Sequence, residues 1–338
     1  MTPVRLGLDV FSLRSQGWTA HELLDYCGAH ALRVVHFSEI RLLGGLDPDH
    51  LRRVRARADE LGLELEAGMR SICPGSTIFD PAQGTAEEQI VRMIDAARIL
   101  GSPFVRCLLG RFADRVTPGG IEQRIDETVT VLGNVRDRVM DAGLKIAIEN
   151  HAGDMQAREL KDLVERAGPE FVGVCVDSGN PLWALEDPHL TLETLAPYVL
   201  TSHVRDGVAW RTPEGAAVAW TRMGEGSVRI DDYIRTYRRL CPGRALSLEV
   251  IVSDTPRILN LHDPAFWDGY RRMPAWELMR FLELAERGSP AASRAVLTGR
   301  EAAARELEDV ETSIRWTQRL LCHEPMAPAE SCQLTADS

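Results

Sequence analysis

Four ionisable residues stand near the ends of four consecutive apolar runs. They are Glu149 in Lys145-Ile-Ala-Ile-Glu149, Asp177 in Val172-Gly-Val-Cys-Val-Asp177, His203 in Leu200-Thr-Ser-His203, and Glu249 in Ala245-Leu-Ser-Leu-Glu249. Three carboxylates and an imidazole brought together repel one another and lose solvation, so they need a compensating cation. This donor set suits one divalent metal ion, Mn2+ foremost, with Mg2+, Co2+ or Zn2+ as alternatives, and leaves positions for substrate oxygens. Taken singly, each residue could equally be a loop charge or a satisfied polar group. The metal reading depends on all four lying at one depth.

Their depth follows from the elements that carry them. Eight short apolar runs recur along the chain: Leu6–Phe11, Leu32–Phe37, Leu63–Met69, Phe104–Leu109, Lys145–Glu149, Phe171–Asp177, Leu200–Val204 and Ala245–Ile251. Helical patterns with start and stop signals lie between them: Thr19 before His21, Asp47-Pro48, Thr85 with Glu87 and Glu88, and the stops Gly101 and Gly143. Alternation of strand and helix predicts parallel βαβ units. Eight units without a Gly-rich dinucleotide or phosphate turn favour a (β/α)8 TIM barrel over an open doubly wound sheet.

In such a barrel, strand residues alternate between interior and helix layer, and active sites form at the strand C-terminal ends. Ile146, Ile148, Val172, Val174, Val176, Leu246 and Leu248 then face the helices. Glu149, Asp177, His203 and Glu249 face inward as one ring. His151, two residues past Glu149 on the same face, is a candidate substrate contact or a hydrogen-bond support for the ligands. Arg205, two past His203, could grip a substrate carboxylate or phosphate, or pair with Asp206 or Glu225. Glu39, ending the second strand, could point at a sugar or cap the next turn. Trp183, Trp210, Trp220 and Trp267 could stack on sugar faces, although packing under loops is the commoner role.

The segments Ile148-Glu149-Asn150-His151, Val176-Asp177-Ser178-Gly179-Asn180, Ser202-His203-Val204-Arg205-Asp206 and Leu248-Glu249-Val250 resemble the sugar phosphate isomerase/epimerase family of xylose isomerase-like TIM barrels. Met223-Gly224-Glu225-Gly226-Ser227-Val228 resembles that family's turn before the last barrel helix. The resemblance spans roughly residues 4–287. It implies that Glu149, Asp177, His203 and Glu249 bind one divalent metal, and that Glu149 and Glu249 also form an acid/base pair acting through a cis-enediolate. Asn180 occupies a position where many members carry a His, which marks it as a substrate-binding candidate and a departure. The implied activity is isomerisation or epimerisation of a ketose or oxidised sugar. The alternative is a lyase of the same fold, a decarboxylase, dehydratase or β-eliminating enzyme working on a 3-oxo sugar acid or 3-oxo glycoside. A barrel that only binds would lack a ligand residue, and none is missing.

Composition limits the partners. A net charge of −11 without a long basic run argues against a nucleic-acid partner, and too few His are present for a trinuclear zinc nuclease. No stretch of about 18 apolar residues suggests a membrane span. Seven scattered cysteines and no secretory leader suggest a reduced, cytoplasmic setting. The expected partner is a small-molecule sugar or sugar-acid substrate. The chain divides into a catalytic barrel over residues 1–288, a helical extension over 289–323 and a flexible tail over 324–338. The extension is expected to serve as a homo-oligomerisation arm covering a neighbour's barrel mouth.

Overall fold

The computed structural model describes residues 4–291 and 294–323, so the expected tail lies outside the described residues. Eight parallel strands form the barrel: β1 (Leu6–Asp9), β2 (Val34–Phe37), β3 (Glu64–Ser71), β4 (Phe104–Leu108), β5 (Lys145–Glu149), β6 (Val172–Asp177), β7 (Val199–His203) and β10 (Leu246–Leu248). β10 pairs with β1, and beyond β7 a bridge from Val204 to Leu248 closes the ring. Around it run α1 (Ala20–Ala29), α2 (Ile40–Leu43), α3 (Pro48–Leu61), α4 (Ala86–Leu100), α5 (Gly120–Asp141), α6 (Ala157–Ala167), α7 (Pro188–Leu195), α8 (Ile230–Leu240) and α9 (Ala275–Arg287). The start and stop residues act as their chemistry dictates. Thr19 and Thr85 form capping boxes with Glu22 and Glu88, and Gly62 and Gly101 end their helices in the left-handed region.

The barrel interior is filled. Phe104, Ala147 and Cys175 pack with Leu200 below the mouth. At Gly7 a Cβ would lie 2.6 Å from Ser247 Oγ and 2.8 Å from Val34 Cβ, so only glycine fits that level. The outward rows, such as Ile146 with Ile148 and Val172 with Val174 and Val176, join the core beneath the helices.

Two stretches depart from the sequence expectation. The chain after β7 and the irregular segment after residue 253 build a second sheet, antiparallel, from β8 (Asp206–Thr212), β9 (Gly215–Thr221) and β11 (Arg257–Asn260). The eighth barrel strand is only three residues long and ends before Glu249. The backbone N–H of Glu249 still donates to the Val204 carbonyl at 3.0 Å, which fixes its position at the rim.

The C-terminal helix α10 (Gly299–His323) packs on its own barrel. Val310 and Ile314 are buried. Glu306 accepts from the Ser15 N–H at 2.9 Å, Arg222 Nε donates to Asp309 at 2.6 Å, and Gln318 donates to the His30 carbonyl at 2.8 Å. The helix thus ties the loop after β1 to the end of the second sheet within one chain. Among the described residues no helix is long and apolar enough to cross a membrane.

Candidate active site

Glu149 ends β5, Asp177 ends β6, His203 ends β7 and Glu249 follows β10. One potential ligand atom from each of the four lies within 4.8 Å of the others. Glu149, Asp177 and His203 are fully buried, and Glu249 is 6% exposed at the open side. His203 Nδ1 lies 2.9 Å from Glu149 Oε2 and 3.2 Å from Glu249 Oε2. Yet it makes a proper hydrogen bond with neither. A buried imidazole nitrogen aimed among carboxylates without a hydrogen bond is what a ligand nitrogen looks like, so these residues fit a divalent cation.

The neighbours hold each of these four side chains in place. Both Asn150 amide atoms bond the Asp177 backbone, at 2.8 and 2.9 Å, and lock the ends of β5 and β6 together. Asp177 Oδ1 accepts the Gly179 and Asn180 N–H groups, each at 2.7 Å. The Asn180 amide donates to Glu149 Oε1 at 3.2 Å, so the residue that replaces the family's frequent His touches a ligand directly. On the far side of the imidazole, His203 Nε2 lies 3.1 Å from His36 Nδ1, and His36 lies 3.2 Å from Glu66.

Two arginines enter the cluster. Arg106, on β4, directs both Nε and an Nη to Glu149 Oε2, the former at 2.7 Å. Burial alone would push the Glu149 carboxyl up. The Arg106 guanidinium, followed by His203, overturns that and holds it well below the usual carboxylate range. Arg205 shares a single Nη between Asp177, at 2.5 Å, and Glu249. Its expected alternatives, Asp206 and Glu225, are not its partners. Asp206 instead accepts the Gly224 and Gly226 N–H groups, each at 2.9 Å, and shapes the glycine turn leading to α8.

His151 sits beside the cluster with Nδ1 2.7 Å from the Gly110 carbonyl, which can only accept. Nδ1 therefore carries the proton and Nε2 is the acceptor. Burial lowers the imidazole to about 4, so it is neutral at neutral pH. Glu39 lies apart from the ring, paired with Arg41 at 2.5 Å and 21% exposed at its side chain. Trp183 and Trp220 are stacked on each other with centroids 4.6 Å apart.

Sequence reasoning missed Arg106, Asp9, His36 and Glu66. The signal was present: Arg106, Asp9 and His36 are each the one charged or imidazole side chain of their strand, Glu66 alternates with apolar Leu65 and Ala67, and all four are buried in the barrel.

The chain is 25% identical over 179 residues to a 3-oxo-isoapionate decarboxylase of Pectobacterium atrosepticum, a match covering 53% of this chain and 56% of that one. The chain thus spans little more than half the length of that curated relative. A D-psicose 3-epimerase structure from Clostridium cellulolyticum H10 superimposes with a TM-score of 0.61 at 10% identity, covering 94% of this chain and 99% of the other. An IOLI protein structure with a bound zinc atom superimposes with a TM-score of 0.54 at 14% identity, covering 83% and 95%. These two show a shared fold. The family model for the xylose isomerase-like TIM barrel matches residues 17–266, and the chain belongs to that family.

Proposed function

We propose that this chain is a divalent-metal-dependent enzyme that acts next to the carbonyl of an oxidised sugar, and that its outcome is cleavage by a lyase rather than epimerisation. A divalent ion held by Glu149, Asp177, His203 and Glu249 would supply an electrophile for substrate carbonyl and hydroxyl oxygens. The chain's own groups then decide the fate of the substrate.

The observation that carries the choice is the inequality of the two glutamates. Both oxygens of the Glu149 carboxylate carry protein donors: Oε2 takes two Arg106 N–H groups and Oε1 takes the Asn180 amide. Glu249 Oε2 shares one Arg205 Nη with Asp177, and among the described residues no hydrogen bond reaches its Oε1. A proton carrier needs a free oxygen facing the substrate carbon. Glu249 Oε1 has no protein donor, whereas both Glu149 oxygens do. Epimerisation through two opposed carboxylates needs two carriers, whereas loss of CO2 or water needs one. The similarity to a decarboxylase supports the same side. His151 Nε2 would accept a hydrogen bond from a substrate hydroxyl, and Asn180 would keep Glu149 oriented.

Mn2+-loaded protein offered 3-oxo sugar acids in deuterated water tests the reading. CO2 or dehydrated product without any epimer supports it, with Glu249→Gln abolishing deuterium uptake into product. A sugar epimer as product, or full turnover by Glu249→Gln, overturns it. So does the absence of a bound divalent ion by metal analysis.

A further inference from the structure

Five side chains form a continuous pile over the barrel mouth. The Arg205 guanidinium lies 4.6 Å from the Trp220 ring centroid, and Trp220 stacks on Trp183 at 4.6 Å with planes 13° apart. The Arg257 guanidinium comes next, 4.9 Å from Trp183 and 3.5 Å from Phe112. Phe112 comes from the loop after β4, Trp183 from the loop after β6, Trp220 from β9 and Arg257 from β11. The pile therefore starts at the arginine that touches Asp177 and Glu249 and ends on the second sheet.

Aromatic faces hold a guanidinium by its plane and leave the N–H groups at its edge for other partners. Here those edges are unanswered. Arg205 Nε, Trp220 Nε1, Trp183 Nε1 and Arg257 Nε are all buried N–H donors without an acceptor. No carboxylate pairs with Arg257 among the described residues. Comparably enclosed arginines each meet one: Arg14 with Glu306, Arg222 with Asp309, Arg280 with Asp187 and Arg305 with Asp254. A half-buried cation without a counter-ion, in a row of donors without acceptors, is balanced by a ligand that brings negative oxygens.

We propose that Arg257 receives the carboxylate of the substrate, so that the compound handled at the Glu149 cluster is a sugar acid and not a neutral sugar. The proposal rests on the lyase reading for which site the acid occupies. A carboxylate matches a single guanidinium edge, and a sugar phosphate is the competing anion that the titration discriminates. The Trp183 and Trp220 faces are occupied by each other and by the arginines. They thus serve to aim cations and not to stack on a sugar.

Calorimetric titration of the Mn2+-loaded full chain tests this with matched probes: erythronate, ribonate and gluconate against erythrulose, ribulose and fructose, plus ribulose 5-phosphate. At least one acid should bind more tightly than its neutral partner. Arg257→Gln should weaken that acid roughly 10- to 100-fold, the range of a lost charge-assisted contact, and leave the ketose within about twofold. Arg257→Lys should recover part of the loss. The proposal falls if no acid outbinds its neutral partner, if acid binding survives Arg257→Gln, if acid and ketose weaken together, or if the sugar phosphate is preferred. Mn2+ titration and a thermal melt of the same samples separate the two ideas. Loss of Mn2+ binding in the wild type defeats the lyase reading, while an Arg257-dependent preference for acids stands without it.

Discussion

The two sheets of this molecule are built on opposite principles. The parallel barrel is buried on both faces and turns every candidate ligand toward one point, with Arg106 set against Glu149 and Arg205 against Asp177 and Glu249. The antiparallel sheet of β8, β9 and β11 is exposed mainly along β11 and carries side chains whose polar edges are unmatched, chiefly Trp220 and Arg257. Satisfied polar groups hold a geometry, whereas unsatisfied ones wait for a ligand. In the proposed reading the barrel performs the reaction and the second sheet selects what is brought to it.

That division can be broken most forcefully at the ligands. Asp177→Ala or His203→Ala should cut turnover by about 10³-fold or more and lower the metal content measured by mass spectrometry, while Arg257→Gln keeps its metal. A ligand variant that retains both metal and turnover would end the division. Next in size is Arg106→Met, which strands the buried Glu149 charge. It should cost about 3–5 kcal/mol in a denaturant melt of the metal-free protein, far more than any surface arginine.

On the second-sheet side, Gly224→Ala should cost about 1–3 kcal/mol. Gly224 has φ +85°, and an added Cβ would press into the Trp316 indole. Limited proteolysis should show α10 loosening first, while metal binding in the barrel persists. The last test is a control outside the ligand ring, beside the starts of α6 and α7. Burial raises the Glu186 carboxyl from 4.5 to about 8, against hydrogen bonds from Thr191 and Ala157. A carboxyl raised on folding contributes stability that is complete below its unfolded value and is lost as pH climbs to the folded one. Glu186→Gln should therefore gain on the wild type as pH rises from about 4.5 to about 8 and no further, leaving turnover unchanged. A gap that widens instead toward acid pH would refute the assignment.

The contrast also explains what could be seen in the sequence. β-Branched and leucine rows such as Val172, Val174 and Val176 announce buried parallel strands, and the intervening inward positions bring Glu149, Asp177 and His203 to one depth. The antiparallel strands give no such pattern. β9 is Gly-Ala-Ala-Val-Ala-Trp-Thr, with small residues of weak strand preference, and Ala216 to Ala219 are buried. Arg257 gave no signal at all, since its meaning depends on Phe112 and Trp183, which are distant in the chain. Arg106 was legible in principle. One arginine inside Phe-Val-Arg-Cys-Leu implies a buried anion across the barrel, and its register neighbour Ala147 is two residues before Glu149.

The contact of α10 with the first barrel loop carries a consequence for biosynthesis. Ser15 and Glu306, which meet there, are separated by 291 residues. At an elongation rate of about 5–20 residues per second, a ribosome leaves the loop after β1 without that partner for roughly 15–60 s. During that interval the nascent chain can pair β1 with β2 but cannot finish this edge of the mouth. Arrested nascent chains halted before Glu306 should accordingly be cleaved by protease near Ser15, and those carrying α10 clear of the exit tunnel should resist.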